Sequence, residues 1–218
     1  MLTEILTLIK KELVIEWRQK YALNGIILYL ASAIFIVYLG FSVTHGMINQ
    51  ETWISLFWII ILFTAVNAVA KSFILEKEER MLYYYTIARP ESVILSKIIY
   101  NSLLMVGLGM LGFLFYSVVF ENNIGNQGLF YGSLILGSVG FGIIFTMISG
   151  IASKASNSGA LMTILGFPVI VPMLLILIRI SSQAIAGQEM DKDIIVLVSL
   201  NVMAIATAYI LFPYIWRS

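Results

Sequence analysis

Cysteine is absent from this 218-residue chain, histidine occurs once, and charged residues make up only 11%. Each shortage excludes something. Without cysteine there is no disulfide scaffold, no thiolate metal site, no iron–sulfur cluster and no C-x-x-C-H haem attachment. With 13 basic against 12 acidic residues, a net charge of +1 gives no bulk attraction for nucleic acid. The chain has no G-x-x-x-x-G-K-[ST], so it lacks the loop that cradles nucleotide phosphates, and no H-E-x-x-H. A Ser–His–Asp site would have to use His45, which falls on a short polar stretch and reads first as a solvated loop residue. Haem or metal ligation by that imidazole is the sharper alternative. Thioether ligation by Met47 or Met190 is a weaker one, since methionine mostly fills apolar space.

What the chain has in excess is apolar side chain, 60% of all residues, where a soluble domain carries about 45–50%. Water cannot be the solvent for most of such a chain. A membrane span needs about 20 mostly apolar residues, and six stretches qualify: Leu23–Val43, Trp53–Ser72, Ile98–Phe120, Leu129–Ala152, Leu161–Ile180 and Ile194–Trp216. The runs are too long and too continuous for the period-two alternation of a membrane barrel. The first is too long for a signal peptide and follows Glu4, Glu12 and Glu16. The expectation is one all-α integral membrane domain over residues 1–218 with six transmembrane helices.

Charge placement predicts the orientation. With the N-terminus inside, the inner segments hold Lys10, Lys11, Arg18, Lys20, Lys71, Lys77, Arg80, Arg89, Lys97, Lys154 and Arg217, and the outer segments only Arg179 and Lys192. This positive-inside bias puts both termini in the cytoplasm. Tyr21, Trp53, Tyr100, Tyr131, Tyr214 and Trp216 fall near the span ends, where amphipathic rings are favourable.

Two inner segments carry pattern. In residues 1–20, Leu2, Ile5, Ile9, Leu13 and Trp17 recur at three- and four-residue spacing, with Lys10, Lys11 and Arg18 on other faces. This reads as a basic amphipathic helix lying at the interface. After the second span comes Lys71–Lys97, in which Glu76, Glu79 and Arg80 share a helix face and Tyr83, Tyr84 and Tyr85 stand together. Pro90 ends a short helix at Arg89, and Ser92 is placed to cap the third span. Residues 76–91 thus read as a cytoplasmic docking segment, or more blandly as a solvated connector.

The spans hold almost no ionisable group; Glu121 and Arg179 sit at outer ends. An ion-coupled transporter or cation channel would carry such groups at mid-membrane. Glycine is abundant instead: Gly107, Gly109 and Gly112 in the third span, and Gly128, Gly132, Gly137 and Gly140 along the fourth. Small residues let helix backbones approach closely, so these spans are expected at the interior or at a dimer face. Pro168 and Pro172 should kink or break the fifth span, marking it as a moving or substrate-facing element. Residues 181–193 are polar and leave room for a short re-entrant turn.

Taken together, the amphipathic lead-in, six spans and charged connector after the second span resemble the type-2 ABC-exporter permeases. The nearer resemblance is to the CcmB family, the membrane subunit of cytochrome c maturation also called haem exporter protein B. It rests on the lead-in Lys11-Glu12-Leu13 with Glu16-Trp17-Arg18, the connector Glu76, Leu82, Pro90 and Lys97, the glycine-rich fourth span, and the Ser149–Pro172 stretch. One departure stands in the connector, where Arg80-Met81 replaces the acidic-Gly step of many members. The tryptophan-rich haem-handling motif of the partner subunit CcmC is absent.

The resemblance implies a permease subunit, not an enzyme, in the bacterial inner membrane. A separate CcmA-like ATPase would dock on Glu76, Glu79, Arg80, Tyr83, Tyr84, Tyr85, Arg89 and Pro90. The core would be two permease and two ATPase chains, with CcmC-like and CcmD-like subunits beside it. ATP hydrolysis would drive release of a haem-loaded CcmE-like chaperone. Haem and ATP would be handled by the complex, with no cofactor or metal assigned to this chain. A type-2 ABC permease for a drug, lipid or polysaccharide is the alternative. A lipid-modifying membrane enzyme is a remoter one, since only Glu121, Asn122, Asn123 and Asn126 cluster near a span end.

Overall fold

The computed structural model describes residues 1–18, 20–43, 49–69, 72–73, 88–120, 124–153, 158–188 and 192–217; for 20, 22, 158–161, 163 and 215–217 it describes the backbone alone. Among these residues there are seven helices and no strand. In chain order they are α1 (Leu2–Arg18), α2 (Lys20–Val43), α3 (Gln50–Ala68), α4 (Pro90–Val119), α5 (Gln127–Ala152), α6 (Ser158–Ile185) and α7 (Lys192–Arg217). All but α1 contain a segment long and apolar enough to cross a membrane.

Local chemistry accounts for several ends. The Asn49 side chain accepts from the Thr52 N–H at 2.8 Å and starts α3, and the Asn126 side chain accepts from the Leu129 N–H at 3.0 Å and starts α5. Asparagine in this place satisfies a donor that the first helical turn leaves unpaired. The turn from α6 folds back onto the same end of the bundle. There the Asn126 N–H donates to Ala184 O at 2.7 Å, its side-chain amide donates to Gln188 O at 2.9 Å, and Gly187 takes φ +71°.

The span limits shift from those expected. α3 stops at Ala68, not Ser72, and α4 begins at Pro90, eight residues before Ile98. A 30-residue α4 measures about 45 Å, where about 30 Å of hydrocarbon suffices. Its first turns therefore stand beyond the apolar layer or tilt within it, and this is why the polar run Pro90–Lys97 was not legible as part of a span. Ser92 is not the cap: it sits in the first turn, with Arg89 as the capping residue and Pro90 at the first helical position. At α6 the helix continues through Ile185, so the first five residues of the polar stretch 181–193 are helical; 189–191 lie outside the described residues. It also runs unbroken through Pro168 and Pro172, which both lie exposed on its outer side, opposite the buried Ile170 and Met173.

α5 is the central helix. Its span is 72% buried, against 11% for α2 and 17% for α7, and it packs on α4, α6, α7 and α3. The glycines explain how closely. A Cβ at Gly142 would fall 2.7 Å from the Ser102 backbone of α4, and one at Gly137 would fall 2.7 Å from Leu177 and 2.8 Å from Trp58. At Gly140 a Cβ would collide with Met173 and Asn201. Gly132 is different, with nothing within 4 Å, and Gly128 would meet only the Asn126 side chain at 3.6 Å.

Aromatic rings fill the half of the core away from α1. Trp53 stacks on Phe57 and meets Tyr116 edge-on at 4.9 Å, while the Tyr116 hydroxyl donates to Trp53 O at 3.0 Å. Trp53 and Tyr100 are thus buried members of the packing, not part of an interfacial belt; Tyr21, Tyr131 and Tyr214 are exposed, as a belt requires. Interhelical polar contacts add to the fit: Asn101 donates to Thr146 at 2.8 Å, Asn201 to Leu136 O at 3.0 Å, and Trp58 to Ser181 at 2.8 Å.

Candidate functional site

The N-terminal helix turns carboxylates as well as apolar side chains toward the bundle: Ile5 is buried, and Leu8 packs on the cluster around Phe73 and Ile94. Leu2, Leu6, Leu13, Val14 and Trp17 are exposed, while Glu4, Glu12 and Glu16 meet successive positions along α4. The exposed apolar side chains suit a helix whose outer face meets lipid.

Glu4 caps α4 from outside its own sequence. One carboxylate oxygen accepts from the Arg89 N–H at 2.9 Å and the other from the Ser92 hydroxyl at 2.8 Å. The Arg89 N–H contact, with the Ser92 hydroxyl, holds the Glu4 carboxyl below its ordinary range despite some desolvation. A carboxylate here also meets the positive end of the helix dipole.

Two turns further along α1, Glu12 pairs with Lys97 at 3.2 Å and with Lys11 at 2.8 Å. Lys97 is buried at 4% exposure. Its ammonium also donates to Ser72 O at 3.2 Å and stands 4.8 Å over the Phe73 ring, a cation–π contact. Burial pushes the Glu12 carboxyl up, but the two lysines outweigh it and hold the group below its ordinary range.

Glu16 faces the Tyr100 hydroxyl of α4. Desolvation pushes the Glu16 carboxyl up; the nearby hydroxyl opposes this and Glu12 adds to it.

Ser72 and Phe73 are where the chain leaves α3 toward the connector, and Arg89 is where it returns. Both ends are fastened. The Phe73 N–H donates to the Ser149 hydroxyl of α5 at 3.0 Å, and its ring packs 5.3 Å from that of Phe212 in α7, among Val93, Ile94, Ile98 and Ile143. Glu4 holds the returning end. Of the expected docking residues, Arg89 is exposed and Pro90 is half-buried at the start of α4. Glu76, Glu79, Arg80, Tyr83, Tyr84 and Tyr85 lie outside the described residues, as do His45, Met47 and Met190. Among the described residues no three histidine, cysteine, aspartate or glutamate side chains gather as a metal would need.

The sequence reading missed the roles of Glu4, Glu12 and Lys97. Their carboxylate–amine character was visible; their pairing across some 85 residues was not, because Lys97 was counted with a loop.

Six apolar helices, the glycine-lined α5 central among them, with the N-terminal helix clamped to the ends of a charged connector, define a multi-pass membrane protein built without a nucleotide-phosphate loop of its own. The family model described as CcmB protein matches residues 3–215, nearly the whole chain, and the protein belongs to that family. It is therefore a transport permease component of the membrane system for haem handling and cytochrome c maturation. Among individually curated proteins, none matches the chain.

Proposed function

We propose that the chain is the permease subunit that receives mechanical work from a separate CcmA-like ATPase and uses it to release a haem-loaded CcmE-like chaperone. It does so within an inner-membrane complex that includes CcmC-like and CcmD-like subunits and a second copy of this chain. Both termini face the cytoplasm in this reading. The observation that carries it is the fastening of both connector ends. Ser72–Phe73 is tied to α1 and α4 through Lys97 and to α5 through Ser149, and Arg89 is tied to α1 through Glu4. A push on residues 74–88 then enters the bundle at two rigid points instead of dissipating in a loose loop.

Docking energy is expected to come from Tyr83, Tyr84 and Tyr85, since interfaces concentrate it in aromatic anchors worth about 2 kcal/mol or more each. Rim charges such as Lys77 mainly steer association. The test is capture of the ATPase subunit by tagged variants at matched membrane levels. Tyr→Ala changes and Glu79→Lys should weaken capture far more than Lys77→Ala. Unchanged capture and unchanged cytochrome c maturation after replacing all three tyrosines would overturn the coupling role.

A further inference from the structure

The side chains of α1 sum to no net charge: Lys10, Lys11 and Arg18 stand against Glu4, Glu12 and Glu16. Docking on α4 sorts them. The three carboxylates turn inward, Glu4 to Arg89 and Ser92, Glu12 to Lys97, and Glu16 to Tyr100. Lys11 is half-buried against Glu12. Lys10 and Arg18 are left exposed on the outer face, where no carboxylate of α1 joins them. At 3.6 residues per turn, Leu2, Leu6, Leu13 and Trp17 form one strip of that face, and Thr3, Thr7, Lys10 and Arg18 form the strip beside it. Leu2 is 78% and Trp17 77% exposed. Lys10 and Arg18 border one open hollow with Leu13, Val14 and Trp17. An apolar strip edged by a cationic one matches the boundary between acyl chains and headgroups, where the cations meet phosphate.

We infer that the outer face of docked α1 binds an anionic phospholipid surface, and that this binding holds the two connector ends in place. The charge sorting supplies the link. Released from α4, the helix would present three carboxylates along with three cations, and an anionic surface would gain nothing from it. Docked, it presents its cations outward and its carboxylates to α4. A ligand shifts an equilibrium only by its difference in affinity for the two states, so anionic lipid favours the docked helix. The docked helix is the one that caps α4 through Glu4 and pairs Glu12 with the lysine that holds Ser72. Lipid charge is thereby transmitted to Ser72 and Arg89, where the chain enters and leaves the connector.

Hydrogen exchange of the full chain, read by mass spectrometry in nanodiscs of phosphatidylcholine with and without phosphatidylglycerol, tests this. Peptides covering 2–18 and 89–93 should both exchange more slowly where phosphatidylglycerol is present, by about fivefold for each exposed cation, and added salt should shrink the difference. Lys10→Gln with Arg18→Gln should exchange like the parent in phosphatidylcholine and lose the response to phosphatidylglycerol. Lys10→Arg with Arg18→Lys should keep the response. Equal exchange of the parent in the two bilayers would overturn the inference. So would a slowing confined to 2–18, or one that survives Lys10→Gln with Arg18→Gln. The same slowing from inorganic phosphate added to phosphatidylcholine nanodiscs would mean a free-anion site and would overturn it too. No ATPase takes part in the measurement, and the inference does not rest on one, so its failure is separable from failure of the coupling role.

Discussion

Lys97 of α4 and Glu12 of α1 form an ion pair at 3.2 Å, with the lysine side chain 5% and the glutamate side chain 15% exposed. In the surroundings of a membrane protein, such a pair is strong only while both partners are present.

Lys97→Ala should destabilise the purified chain by about 3 kcal/mol, the lower end for breaking a buried pair, because Lys11 stays beside Glu12. The double variant Glu12→Gln with Lys97→Ala should lose less than the two single variants together, since it leaves neither partner of the pair charged and unpaired. Thermal or denaturant unfolding of the four members of the cycle measures this. Additive losses would show that the two groups do not interact.

The same face predicts a signed pH response. Glu16, raised above the ordinary 4.5, disfavours the folded state when charged; its contribution is full at low pH and is lost as pH rises through its folded value. Glu12 and Glu4, lowered below 4.5, stabilise when charged, and that contribution is lost as pH falls through their folded values. Unfolding temperature should therefore rise slightly as pH drops from 7 toward 4.5 and fall below it. Glu16→Gln should remove the rise, and Glu12→Gln should blunt the fall.

Two glycines of α5 should behave oppositely. Gly142→Ala must push a methyl against the Ser102 backbone, at a cost of about 1–3 kcal/mol for overpacking. Gly132→Ala enters open space and should stay within about 0.5 kcal/mol of the parent. Unfolding of the isolated chain separates them; equal losses would contradict the close approach of α4 and α5.

Topology follows from the lysine and arginine bias. Reporter fusions after Glu121 and Gln188 should read as outside, and fusions after Glu79 and Lys154 as inside. An outside signal at Glu79 would reverse the orientation and remove the connector from any cytoplasmic ATPase.

By itself the sequence determined the all-helical membrane class and the six apolar spans that the described residues show. Six apolar runs without period-two alternation leave a chain only helices to satisfy its backbone inside lipid, and the glycines of α5 stood out because small residues let helix backbones approach closely. What it did not determine was which groups meet. The apolar signal stops at Lys97, so α4 read eight residues too short and its lysine read as part of a loop. Trp53 and Tyr100 read as interfacial because ring chemistry alone does not say which way a helix is turned. Only tertiary packing brought Glu4, Glu12 and Glu16 to Arg89, Lys97 and Tyr100. The physical reason is that charge pairing is decided by distance in space, while composition and periodicity report only distance along the chain.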